Sequence, residues 1–305
     1  MTVHWGAFRL MVLPLALFLF TGCTPSVMWQ GKSPDHRHEA EVQAHGSQQW
    51  VELDGEEFGP YAGVAAHSVV FSPEGGHLAF PAVRDSSWFV VRDGQEGSRW
   101  DGIGQLVFSP DGSQLAYAAT LGSDWYVVRD STVSLPADSL LANSLKFSPQ
   151  GDRLAYGAWT GGILRIMVDD LPGRPVLGVG AMFFDPAGNL FYVAHDRYGM
   201  VFVGNEIVLG RHAAIAWPTS SQEGGRWAYA ASDGGPWFAV VNGQWDPPYP
   251  QVRGLVFEPG NGRFAYVAGD EREEILIVDG RAGRSWNQLG EPVFNSEGGH
   301  LGLQR

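Results

Sequence analysis

From residue 47 onward the chain alternates short apolar runs with clusters of Gly, Pro, Asp, Asn and Ser, and no long helical periodicity interrupts them. The apolar runs recur as a unit. An aromatic residue opens each copy and is followed by Ser-Pro-x-Gly or a weaker form of it. The openings are Phe71, Phe108, Phe147, Phe184, Trp217, Phe257 and Phe294, at intervals of 37, 39, 37, 33, 40 and 37 residues. A second apolar run carries Phe80, Tyr117, Tyr156, Tyr192, Tyr229 or Tyr266. A third ends in Asp-Gly or Asn-Gly, as in Trp88-Phe89-Val90-Val91-Arg92-Asp93-Gly94 and Trp237-Phe238-Ala239-Val240-Val241-Asn242-Gly243. That dipeptide favours a type I′ hairpin, because two consecutive positive φ angles are needed. A fourth run carries Trp100, Tyr249 or Trp286. Four short strands per unit are therefore expected, joined by turns in which proline pre-sets φ and aspartate bonds its own backbone.

A lone four-stranded sheet cannot bury both faces, so such units must stack. Residues 47–305 number 259, which is seven times 37. The expected fold is all-β: a seven-bladed β-propeller of four-stranded antiparallel blades. The copy opened by Phe294 has room for two strands only. Gln49–Gly55 matches the third element and Phe58–Tyr61 the fourth. Residues 47–66 are accordingly expected to complete that last blade and close the ring. The tryptophans Trp50, Trp88, Trp125 and Trp237 share one place in the unit, which argues for packing between blades and against a sugar platform.

The repeated phrase F-S-P-[DE]-G-x-x-L-A-[YF], strong in three copies and degenerate in four, resembles the repeats of TolB-like β-propellers, relatives of the WD-repeat class. The resemblance covers nearly all of residues 47–305 and implies a binding or scaffolding role in a cell envelope. TolB carries an α/β domain before its propeller; this chain has none to match it. Propellers of this type also precede peptidase domains, but no G-x-S-x-G elbow occurs here.

The N-terminal segment reads differently. Residues 10–20 are an apolar run too short for a ~20-residue bilayer span, preceded by His4 and Arg9, in the order of a signal peptide. Phe20-Thr21-Gly22-Cys23 resembles a bacterial lipobox, and Cys23 is the only cysteine. Lipidation of Cys23 after removal of residues 1–22 accounts for an exported chain with a single thiol. By resemblance to enterobacterial lipoprotein sorting, Thr24 after the cysteine implies the periplasmic side of the outer membrane. Residues 23–46 are expected to be a lipidated cysteine and a flexible tether. His36, His38 and His45 with Asp35, Glu39 and Glu41 fit no standard metal spacing there, and no cofactor is called for.

The net charge is −13, and the processed chain, which loses Arg9, carries 33 acidic against 19 basic residues. That balance disfavours nucleic acid and anionic lipid as partners. The membrane is expected to be reached through the anchor alone, and the protein to be a monomer. Function is expected on the variable loops, on the face that bears the second-to-third turns and the links between blades. Those turns hold Arg84, Asp85, Trp159, His195, Asp196, Arg197, Tyr198, Asp270 and Arg272; the links hold His67, Asn143, His212 and Arg253. His195–Tyr198 is the densest group. A non-catalytic module binding a protein or peptide is the leading expectation, since Arg and aromatics are enriched at the energetic centres of interfaces. The alternatives are a propeller-type glycosidase or lyase acting on an envelope polysaccharide, with His195, Asp196 and Asp270 as acid and base, and a small-ligand sensor.

Overall fold

The computed structural model describes residues 26–260 and 262–304. The expected signal peptide and Cys23 lie outside them. The described chain is all-β apart from one 3-10 turn, Ala66–Ser68, and its strands form eight separate antiparallel sheets in chain order. Seven have the full four-strand meander. The eighth has two strands, Glu291–Phe294 and Leu301–Gln304. In sheets 2 and 4 the first strand is split in two.

The first sheet corrects two sequence expectations. Residues 26–45 are not a tether: Ser26–Lys32 and Glu39–His45 are the first two strands of sheet 1. Gln48–Leu53 and Glu56–Tyr61 are indeed third and fourth strands, but they pair with Glu39–His45 and not with the strands around Phe294. Among the described residues no hydrogen bond joins sheet 1 to sheet 8, so the expected closure of the last blade by residues 47–66 is not formed. The count becomes seven four-stranded units and a two-stranded eighth, in place of seven ending in a composite blade. The overlooked unit begins with Ser33-Pro34-Asp35, where Lys32 stands in place of the aromatic and His36 in place of the glycine. His36 nonetheless has φ +61 and closes the same turn on Ser33, as Gly75 closes on Ser72.

Two hydrogen-bonding devices repeat from sheet to sheet. In the first-to-second turn, a hydroxyl or carboxylate accepts the amide of the residue just before the second strand: Ser33 from His38, Ser72 from His77, Ser109 from Gln114, Ser148 from Arg153 and Asp185 from Asn189. All five side chains are buried, and successive turns lie against one another. A methyl group on Gly112 or Gly151, for example, would run into Ser72 and Glu74, or Ser109 and Asp111, of the preceding unit. In the third-to-fourth turn, a residue at positive φ reaches back fifteen positions. Asp54, Asp93, Asp130, Asp169, Asn205, Asn242 and Asp279 each accept the amide of the residue that begins the second strand, namely Glu39, Leu78, Leu115, Leu154, Leu190, Trp227 and Phe264. The same residue returns its own amide to that partner's carbonyl, which closes a two-bond lock in every complete unit.

The core lies between neighbouring sheets. Six apolar clusters join sheets 1 to 7 pairwise, built mainly from second- and third-strand residues such as Phe80, Tyr117, Tyr156, Tyr192, Tyr229 and Tyr266. These are largely alternating positions of half-buried strands, and each sheet offers one apolar face to each neighbour. Burial raises the tyrosine pKa values, that of Tyr229 to about 12. The phenols of Tyr156, Tyr192 and Tyr266 donate to Asp170, Glu206 and Asp246. Trp125 and Trp237 pack at the rim of these clusters, as their repetition suggested.

Candidate functional site

Sheet 4 contains Leu154–Thr160, Ile163–Val168 and Leu171–Val176; sheet 5 contains Leu190–Asp196, Gly199–Gly204 and Ile207–His212. Both sheets use two-residue turns between second and third strands, Gly161-Gly162 and Arg197-Tyr198, and the turns emerge on one face. Between them lies a cleft of about 570 Å³. One wall is Trp159, Gly162, Ile163 and Leu164 with Arg174–Leu177; the other is Asp196, Arg197, Tyr198 and Arg211. Four of the residues singled out in the sequence, Trp159, Asp196, Arg197 and Tyr198, thus share one site.

Its geometry is set by a charge network. Arg211 clamps Asp196 with both terminal nitrogens, Nη1 at 2.5 Å and Nη2 at 2.8 Å. The Asp196 carboxylate also accepts the Tyr198 amide at 2.8 Å, which shapes the turn. These bonds, the guanidinium of Arg211 first among them and the charge of Arg174 helping, hold the Asp196 pKa down to about 2. Asp196 is therefore an ionised fixture of the wall, not a proton donor. Arg197 and Arg211 both lie against the ring of Tyr198, at 4.6 and 5.3 Å from its centroid. Tyr198 is 66% exposed and Leu177 68%, so the mouth is apolar as well as cationic. Arg174, on the fourth strand of sheet 4, has its Nε buried with no acceptor among the described residues.

The remaining candidates do not join this site. His195, next to last in its strand, is exposed, and its carbonyl receives the Leu177 amide. Arg84 is tied to Glu96 at 2.6 Å and to the Pro60 carbonyl, and stacks on Tyr61 and Phe89, so it joins sheets 1 and 2. Asp85 is an exposed turn residue at positive φ. Asp270, on sheet 7, caps its own turn by accepting the amides of Arg272 and Glu273, which lowers its pKa; Arg272 is exposed beside it. Asp270 lies two sheets on from His195 and Asp196, with sheet 6 between, and the three do not come together as the acid and base pair considered above. His67 and Asn143 are exposed link residues. Arg253 grips Glu274 and the Leu289 carbonyl, and so links sheet 7 to the segment leading into sheet 8.

His212 requires a correction. It was expected on a link open to a partner, yet it is buried, between Tyr229, Phe238 and Trp245, with Nδ1 toward Asp233 and Nε2 toward the Tyr229 hydroxyl. As the last residue of the strand Ile207–His212, it turns its side chain inward, on the core between sheets 5 and 6. The histidines near the N-terminus are also accounted for locally: His38 bonds Asp54 at 2.6 Å and His45 packs against Trp50. Sequence reasoning missed Arg174 and Arg211. Both sit on fourth strands, where an arginine reads as an ordinary solvent-facing residue.

No family model matches the chain, and no curated protein matches it in sequence. Solved structures do. A eukaryotic initiation factor is similar at 12% identity and TM-score 0.50, over 91% of this chain and 81% of that one. The chain is built of consecutive four-stranded antiparallel meanders, the repeat unit of β-propellers. The β-propeller domain of Cps50 (Swd1) from Myceliophteria thermophila is similar at 12% identity and TM-score 0.35, over 80% of this chain and 96% of that one. TolB from Acinetobacter baumannii is similar at 14% identity and TM-score 0.33, over 86% and 80%. At such identities the likeness concerns the fold, and the site has to be argued from its own residues.

Proposed function

We propose that this chain is a non-catalytic cell-envelope lipoprotein that binds a protein or peptide partner on the face carrying its second-to-third turns, with the cleft between sheets 4 and 5 at the centre. The observation that carries this reading is the convergence of Trp159, Arg174, Arg197 and Tyr198 with exposed Ile163 and Leu177 around one opening. Such a mixture of rigid aromatics, arginine and aliphatic rim is what concentrates binding energy at interfaces.

A binding role is favoured over hydrolysis by the cleft's own chemistry. Glycoside cleavage needs two carboxyl groups with separated pKa values, one of them protonated near neutrality. The cleft is lined by one carboxylate, Asp196, and Arg211 keeps it charged. Anchoring through lipidated Cys23 on the periplasmic side of the outer membrane belongs to the same proposal, and rests on the export signal and the solitary cysteine.

The test is site-specific photocrosslinking in the native envelope. A photoreactive side chain at position 198 should trap one discrete partner band, and Trp159→Ala should diminish it. The same probe at Val133, an exposed fourth-strand residue of sheet 3, serves as the control. Equal labelling from both positions, or none from 198, would remove the cleft as the binding centre.

A further inference from the structure

The charge of the cleft points to the chemistry of what enters it. Three guanidinium groups line it against one carboxylate, in a chain whose net charge is −13. Arg211 is spent on Asp196 in a bidentate pair. Arg174 and Arg197 have no carboxylate within ion-pair distance among the described residues; Arg197 rests on the Tyr198 ring, and Arg174 keeps a buried Nε–H without an acceptor. A buried donor left unsatisfied is costly, and a planar guanidinium is shaped to accept a carboxylate through paired N–H groups. The residual charge of the site is thus two positive units on an otherwise acidic surface, held at the edge of an apolar rim of Trp159, Ile163, Leu177 and Tyr198.

We propose, resting on the reading of this cleft as a peptide or protein site, that its ligand is an acidic peptide segment: a carboxylate seated between Arg174 and Arg197, with a neighbouring aliphatic or aromatic side chain laid across Leu177 and Tyr198. Asp196 sets the selectivity. Fixed in its charged form, it repels any second carboxylate placed deep on the Arg211 side, so one acid flanked by an apolar residue suits the cleft better than a run of acids. The carboxylate can belong to an Asp or Glu side chain or to a peptide's own C-terminus; the guanidinium pair recognises both.

The experiment uses the purified full chain in detergent and an array of N-acetylated heptapeptides. Each carries Asp or Glu beside Leu or Phe, and each is matched by its Asn or Gln counterpart. One set is amidated at the C-terminus and one is left as the free acid. Acidic peptides should bind about tenfold more tightly than their amide counterparts, as expected for a charge-assisted pair, and raised salt should narrow the gap. The double variant R174Q/R197Q should erase the preference while retaining the parent's melting temperature. Tighter binding of the free-acid set than of the amidated set, whatever the side chain, would assign the site to C-terminal carboxylates and still support the inference. No gain in binding from either an acidic side chain or a free C-terminus, a preference that survives in the double variant, or an array with no binder would each overturn it. Partner trapping from position 198 is read separately, so loss of the acid preference alone leaves the binding role standing.

Discussion

The fifteen-residue lock between third-to-fourth turn and second strand can be taken apart at Asp279. Its carboxylate accepts the Phe264 amide at 2.9 Å, its amide returns to the Phe264 carbonyl at 2.9 Å, and its φ is +48. Phe264 is 2% exposed, so water cannot readily replace the lost acceptor. Asp279→Ala strands a part-buried donor, at about 1–3 kcal/mol, and places a Cβ-bearing residue without Asp's local bonding in the left-handed region, at about 1 kcal/mol more. The sum is about 2–4 kcal/mol. For an ordered body of about 280 residues the unfolding entropy is near 0.6 kcal/mol/K, so the melting temperature should fall by about 3–7 °C. Asp279→Gly relieves the backbone but not the donor and should fall in between. Asp279→Asn keeps both contributions, as Asn205 and Asn242 do in their own units, and should stay within about 0.5 kcal/mol of the parent. Differential scanning calorimetry of the four proteins decides. If Asn costs as much as Ala, or Gly is as stable as Asn, the hydrogen bond is not what holds the turn to the strand.

Other consequences can be measured alongside. Val42 is fully buried in the first sheet, so Val42→Ala should cost about 2 kcal/mol in urea unfolding; a free N-terminal tether would make it silent. His212→Ala should destabilise the chain by about 2–3 kcal/mol, since it empties a site enclosed by Tyr229, Phe238 and Trp245, and should leave crosslinking from position 198 unchanged. The Asp196 pKa is lowered on folding, so its contribution to stability is full above the ordinary carboxylate range and is lost as pH falls through about 2. Replacing Asp196 with Asn should therefore flatten the acid limb of a stability-against-pH curve below about pH 4, with little change in its shape between pH 5 and 8.

The unit repeat was plain in the sequence because its turns need particular residues. Pro, Asp and Gly mark corners wherever the backbone must take unusual angles, and the marks recur at 37 residues. The first unit escaped notice because Lys32 and His36 replace the two most conspicuous markers, although Ser33 and Asp54 keep the hydrogen bonds that matter. The expected tether over residues 23–46 and the expected closure fail together: without the strands Ser26–Lys32 and Glu39–His45, the outer strands of the first sheet have no partner but the last copy. At the site, the turn residues were legible because a two-residue turn must present its side chains. Arg174 and Arg211 were not, since only the fourth strands' approach to the neighbouring sheet brings them to the cleft. His212 shows the converse. A position beside a link is exposed or buried according to the side on which the preceding strand releases it, and one residue of register reverses that.

That the cleft is walled by two consecutive sheets ties recognition to mechanics. Whatever fills it touches both halves of one junction, and so has affinity only for the arrangement in which sheets 4 and 5 are docked. Occupancy at a hundred times the dissociation constant would bias that junction toward its docked form by about 2.7 kcal/mol. Amides flanking the seam, such as that of Leu177 on the His195 carbonyl, would then exchange with deuterium more slowly, while those between sheets 2 and 3 keep their pace. A partner would act on this array as a rivet does on two overlapping plates, stiffening one joint and leaving the others free to breathe.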